Sequence, residues 1–267
     1  MGWLSALLPS RRASADAAQS VADLMAEALD AAAGDDYERA LSIWGPLAQQ
    51  GIARAQNNVG VCFSEGRGVP RDTALALKWL TLAAENGDAI GQRNLADLYF
   101  KGEGVAPDAV RAAELYRKAA EAGDGPAQDM LSWMLYERQM IPGDLAEARR
   151  WAEAAAAQGV VAAMTRLGMI YHNAIGVERD PAEAARWWDM AAARGDADAQ
   201  AMLGAAYQLG AGVPRDPVAA LMWLLRAQAG GSALAEPFLQ PTAASMSPDQ
   251  IARARVLAKM PLTEPAA

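Results

Sequence analysis

Chemistry on a substrate needs titratable groups that converge, and this sequence holds one histidine, His172, and one cysteine, Cys62. A histidine general base, or a nucleophile activated by one, has His172 alone to draw on. No Cys/His spacing suits zinc. No G-x-x-x-x-G-K-[ST] or G-x-G-x-x-G opens a helix after a strand. Stepping by 36 residues, His172 aligns with Ser64, Phe100, Tyr136 and Gln208. A position that accepts all these types reads as a solvated helix face. Cys62 aligns with Leu98, Met134, Ile170 and Ala206, which is a core pattern and reads as a buried thiol. The chain is therefore read as a non-enzyme, with no catalytic residue, no metal and no cofactor.

These alignments hold because the sequence repeats. Gly51, Gly87, Gly123, Gly159, Gly195 and Gly231 fall at a constant interval of 36 residues. So do Asp36, Asp72, Asp108, Asp144, Asp180 and Asp216, and so do Trp79, Leu115, Trp151, Trp187 and Trp223. Each period reads as two helices. In the first, positions such as Leu95, Leu98 and Tyr99 recur at helical spacing; in the second, Ala76, Trp79, Leu80 and Ala83 do the same. Glycine pairs stand between the two, as at Gly66 and Gly68, Gly102 and Gly104, and Gly210 and Gly212. Asp72, Asp108, Asp180 and Asp216 then sit where the second helix needs an N-cap. Pro181 and Pro217 follow at the first helical position, where proline is tolerated. Gly60, Gly168 and Gly204 lie inside the first helix, with Ala96 and Ser132 at the same place. Helix-interior glycine costs about 1 kcal/mol against alanine, so small residues there predict a close approach of the paired helices. Trp79, Trp151, Trp187 and Trp223 are expected to fill the space between adjacent units.

The pattern A-x-x-x-L-G-x-x-Y-x-x-G-x-G-V-x-x-D-x-x-x-A-x-x-W-x-x-x-A-A-x-x-G resembles the Sel-1-like repeat family, a relative of the tetratricopeptide repeat with a longer inter-helix loop. The fullest match is Ala199, Leu203, Gly204, Tyr207, Gly210, Gly212, Val213, Asp216, Ala220 and Trp223. Five units fit, at 52–87, 88–123, 124–159, 160–195 and 196–231. The third departs in its loop, 137–143, which lacks the glycine pair, and the fourth has Ala174 in place of its first glycine. The expected fold is all-α: a right-handed α-α superhelix (solenoid) of about five to six helix-turn-helix repeats of 36 residues. A degenerate capping repeat is expected at 18–51 and capping helices at 232–260, where Pro237 and Pro241 break the pattern. There Ser247, Pro248 and Gln250 would open a last helix carrying Ile251, Ala254, Leu257 and Met260. Flexible or disordered tails are expected at 1–17 and 261–267.

In tetratricopeptide proteins the first helix of each unit lines a concave groove. By that resemblance, positions that vary between units should face a partner: Asn57, Val61, Arg93, Asp97, Phe100, Asp129, Trp133, Tyr136, Arg166, Met169 and His172. Trp133 stands out, since its equivalents are Val61, Asp97, Met169 and Ala205. The expected function is a scaffold or adaptor that binds a protein or peptide, in bacterial assembly or signalling. The alternatives are an envelope or secreted binder of cell-wall or carbohydrate ligands and, more remotely, a hydrolase. Some secreted relatives act on β-lactams, but this chain has neither S-x-x-K nor repeat-spaced cysteine pairs. A net charge of −8 without a Lys/Arg cluster argues against nucleic acid. No run is long and apolar enough to span a bilayer. A single cysteine fits a reducing compartment, so a cytoplasmic location is expected. The apolar start, Trp3 to Leu8, leaves a periplasmic or membrane-associated alternative.

Overall fold

The structure is a computed structural model that describes residues 20–137, 141 and 143–262. The expected tail at 1–17 lies outside these residues, as do 138–140 and 142 of the atypical loop and 263–267. Among the described residues all regular structure is helical: fourteen α-helices and one short 3-10 turn, without strands. They belong to two compact units, Met1–Asp124 and Gly125–Ala267.

The first unit holds α1 (Val21–Ala33), α2 (Tyr37–Gln49), α3 (Ala53–Glu65), α4 (Thr73–Glu85), α5 (Ala89–Lys101) and α6 (Ala109–Glu121). Each packs on the next, and α3 also lies against α5. The second unit holds α7 (Gly125–Glu137), α8 (Leu145–Ala157), α9 (Val161–His172), α10 (Pro181–Ala193) and α11 (Ala197–Leu209). It continues through α12 (Pro217–Ala229), α13 (Glu236–Ala244) and α14 (Pro248–Ala258). Here α7 touches α9, and both α13 and α14 pack on α12.

The punctuation works as the sequence implies. The Asp72 carboxylate accepts from the N–H groups of Ala74 and Leu75, and Asp216 from those of Val218 and Ala219. Each such cap contributes about 1 kcal/mol. Asp88 and Asp196 cap the next unit's first helix, accepting from Gly91 and Ala199 N–H at 2.7 Å. In the fourth repeat Ala174 takes the left-handed backbone (φ 56°) that Gly66, Gly102 and Gly210 take at the same place. That conformation costs a non-glycine residue roughly 1 kcal/mol.

The small residues of the first helices meet large ones of the second, the close approach their size implies. A Cβ on Gly60 would stand 2.7 Å from Leu80, one on Gly168 2.2 Å from Trp188, and one on Gly204 2.8 Å from Leu224. Leu80, Trp188 and Leu224 are buried, with Tyr116 at the same repeat position. Trp79, Trp151, Trp187 and Trp223 precede that position by one residue, about 100° around the helix. They lie half-buried, three of them at the edges of the cores.

A glutamine, buried at Gln56 and Gln200 and half-buried at Gln92, ties each of several repeats to the one before it. The side-chain amide of Gln56 donates to the Ala48 carbonyl at 3.0 Å, Gln92 to Ala84 at 3.3 Å and Gln200 to Ala192 at 3.1 Å. In the fourth repeat Met164 occupies the position. At the C-terminal side, where the repeat pattern ends, Pro237 and Pro241 lie within α13, Pro237 in its first turn. Ser247 and Gln250 form the expected capping box of α14. Ala254 packs inward, whereas Met260, expected on this helix, lies just past its end and is 53% exposed.

Candidate functional site

The groove candidates divide between the two units. In the first unit, Asn57 is buried and its side-chain oxygen accepts from Asn94 at 2.8 Å, linking α3 to α5. Arg93 is half-buried, and one guanidinium nitrogen donates to both Asp124 oxygens, at 3.0 and 2.9 Å. Asp97 accepts a short hydrogen bond from the buried Tyr116 hydroxyl. These three therefore serve the join between helices as well as any surface. Val61 and Phe100 are half-buried. Val61 and Asp97 line a shallow hollow of about 110 Å³ between α3 and α5. Its floor is Leu80 and Leu98, and its rim includes Ser64, Asn94 and Lys101.

In the second unit, Asp129 is buried and accepts from Arg166 at 2.9 Å, joining α7 to α9. Trp133 and Tyr136 on α7, and Met169 and His172 on α9, are half-buried. Tyr136 and Met169 pack on the unit's core. The His172 ring lies 5.4 Å from that of Trp188, tilted by 47°. The ring is thus packed on one side while His172 stays half-exposed. No group of three or more His, Cys, Asp or Glu side chains among the described residues is arranged to hold a metal. No helix among them is long and apolar enough to cross a membrane.

The sequence reading missed Asn94, Tyr116 and Asp124 as partners. A signal was present: Asn57 to Asn94 and Asp129 to Arg166 both span 37 residues, one more than the repeat, so each pair joins neighbouring first helices. Polar types recurring at that spacing could have been sought.

Cys62 is 2% exposed, as its core pattern implies. Burial pushes its thiol from an ordinary 9.0 up to about 11. Burial, and then the Asp97 carboxylate, also hold the Tyr116 hydroxyl above its ordinary value of 10.0. Both folded groups resist deprotonation more than the unfolded ones do. Their contribution to stability is therefore complete below the ordinary values and falls as pH rises beyond them. Urea midpoints should fall as pH increases from about 9 to 11, less steeply in Cys62→Ala. At neutral pH a disulfide reagent should label native Cys62 at least about 100-fold more slowly than the unfolded thiol.

The Sel1 repeat family model matches residues 53–88, 89–124, 125–160, 161–196 and 197–232. Among solved structures, a Sel1 repeat protein from Oxalobacter formigenes is 29% identical. The match covers 88% of this chain and 98% of that one, with a TM-score of 0.76. A protective antigen of uropathogenic Escherichia coli, described as displaying an SLR fold, is 25% identical. That match covers 90% of this chain and 68% of the other, with a TM-score of 0.42. Among curated proteins, mouse DAP3-binding cell death enhancer 1 is 45% identical over 42 residues, which is 16% of this chain and 8% of that protein. With five matched units and paired helices of the same period, the chain belongs to the Sel1 repeat family and has its all-α solenoid fold.

Proposed function

We propose that the protein is a scaffold, acting by binding and not by catalysis, and that its first helices hold a partner protein or peptide. The observation that carries this reading is the α7–α9 face of the second unit. Trp133, Tyr136, Met169 and His172 stand there half-exposed, at positions where the repeat pattern demands no particular residue. Large amphipathic side chains of this kind bury much area at small entropic cost when a partner covers them. The hollow beside Val61 and Asp97 gives the first unit a second, more polar contact surface. Asn57, Arg93, Asp129 and Arg166 frame these surfaces from below through their internal bonds.

The reading extends to a role in bacterial assembly or signalling, in keeping with the Oxalobacter relative, and to the cytoplasm, in keeping with one unpaired thiol. The test is affinity capture on the tagged full chain, compared with Trp133→Ala and Tyr136→Ala. A true partner binds the wild type and weakens at least about tenfold with each variant, the cost of a modest hot spot. Unchanged capture of every partner by both variants, with helix content intact, would exclude this face.

A further inference from the structure

The helix faces that α1 and α14 turn to solvent each carry exposed apolar residues, and their charges are opposite. α1 packs on α2 and turns its other side to solvent. Ala22, Ala26, Leu29 and Ala33 are exposed there at i, i+4, i+7 and i+11, with Leu29 at 52%. Every charge on α1 is acidic: Asp23, Glu27 and Asp30. These carboxylates line an open trough of about 470 Å³ beside the stripe, together with Arg39, which pairs with Glu27 at 2.9 Å. Asp23 also closes the α1 capping box with Ser20.

α14 packs on α12 and likewise shows apolar residues to solvent: Ala252 and Val256, at i and i+4, with Met260 just past the helix end; Val256 is 63% exposed. Its flanks are basic, with Arg253, Arg255 and Lys259 all exposed, and Asp249 confined to the first turn. Two α1 faces brought together would oppose carboxylates, and two α14 faces would oppose cations. One of each places apolar on apolar and positive beside negative.

We propose that α14 of one copy docks on α1 of a second copy, Val256 and Met260 against Ala26 and Leu29. The basic flank then enters the acidic trough. Each copy offers both surfaces, so the contact is heterologous. A single helix face lies below the roughly 1,200 Å² of a stable interface, so the association is weak and concentration-dependent. It also weakens in salt, because the charges are exposed.

The test is sedimentation of the full chain up to about 0.5 mM, a range suited to a small interface. The wild type is expected to gain mass with concentration, and less so in high salt. Leu29→Arg, which blocks the acidic face, and Val256→Glu, which blocks the basic one, each stay monomeric alone. Mixed, they associate again, because each supplies the surface the other lacks. A wild type that remains monomeric overturns the proposal, as does either variant associating alone like the wild type, or a mixture that stays monomeric. Ala22→Arg and Arg253→Glu repeat the design at other exposed positions. Circular dichroism and thermal melting verify that each variant is folded.

Discussion

Asp129→Ala is expected to destabilise the second unit by about 3–5 kcal/mol, the cost of stranding one partner of a buried ion pair. The Arg166 side chain is 14% exposed, and Asp129 accepts from it at 2.9 Å. The Arg166 Nε is already buried without a hydrogen-bond partner. Without the carboxylate, the guanidinium keeps its desolvation cost and loses its counter-charge. Removing both charges should be far milder. The next repeat places Thr165 and Met202 at the equivalent positions, so Asp129→Thr with Arg166→Met copies a pairing the fold already uses. A double-mutant cycle by urea denaturation checks this. The expected result is a coupling of at least about 2 kcal/mol, with the double variant within about 1.5 kcal/mol of wild type. Additive losses would show that the pair is not a unit.

Gly212→Ala is expected to cost at least about 3 kcal/mol, from overpacking against backbone added to backbone strain. Gly212 has φ 79°, and a Cβ there would stand 1.9 Å from the Pro181 carbonyl oxygen and 2.7 Å from the Ala182 nitrogen. Neither atom can swing aside as a side-chain tip would, because both belong to the first turn of α10. Gly210, two residues earlier, is the internal control. It has φ 69°, but a Cβ there would meet its nearest neighbour at 3.6 Å. Gly210→Ala should cost only the strain, about 1 kcal/mol. The difference between the two denaturation midpoints isolates the clash. Equal losses would mean that the loop shifts away from α10 without penalty.

The fold was legible because one period dictates several kinds of residue at once. Asp72, Asp180 and Asp216 mark helix starts, and Gly60, Gly168 and Gly204 mark close contacts; each works as its type implies. The failures share a physical cause. Adjacent residues differ by about 100° around a helix, so periodicity finds a face more readily than its centre. The tryptophans were read as the fillers between adjacent units, and Leu80, Trp188 and Leu224, which meet the small residues of the first helices, were not singled out. The candidate site suffered in the same way. Variation between repeats picked out Asn57 and Asp129, yet each is tied to a varied partner on the neighbouring first helix, Asn94 and Arg166. Pairs that change together preserve an internal bond while looking, residue by residue, like freedom at a surface. Pro241 shows the opposite limit: a residue that discourages helix is held in one by the packing of α13 on α12.

The glutamine clasp bears on how such a chain can grow. Gln56, Gln92 and Gln200 each reach eight residues back, to the carbonyl of an alanine that recurs in every preceding copy. A stretch of one period duplicated in tandem would arrive with its own clasp and its own acceptor already in register. Length can therefore change by whole modules without new joints being invented, while the side chains outside the clasp diverge.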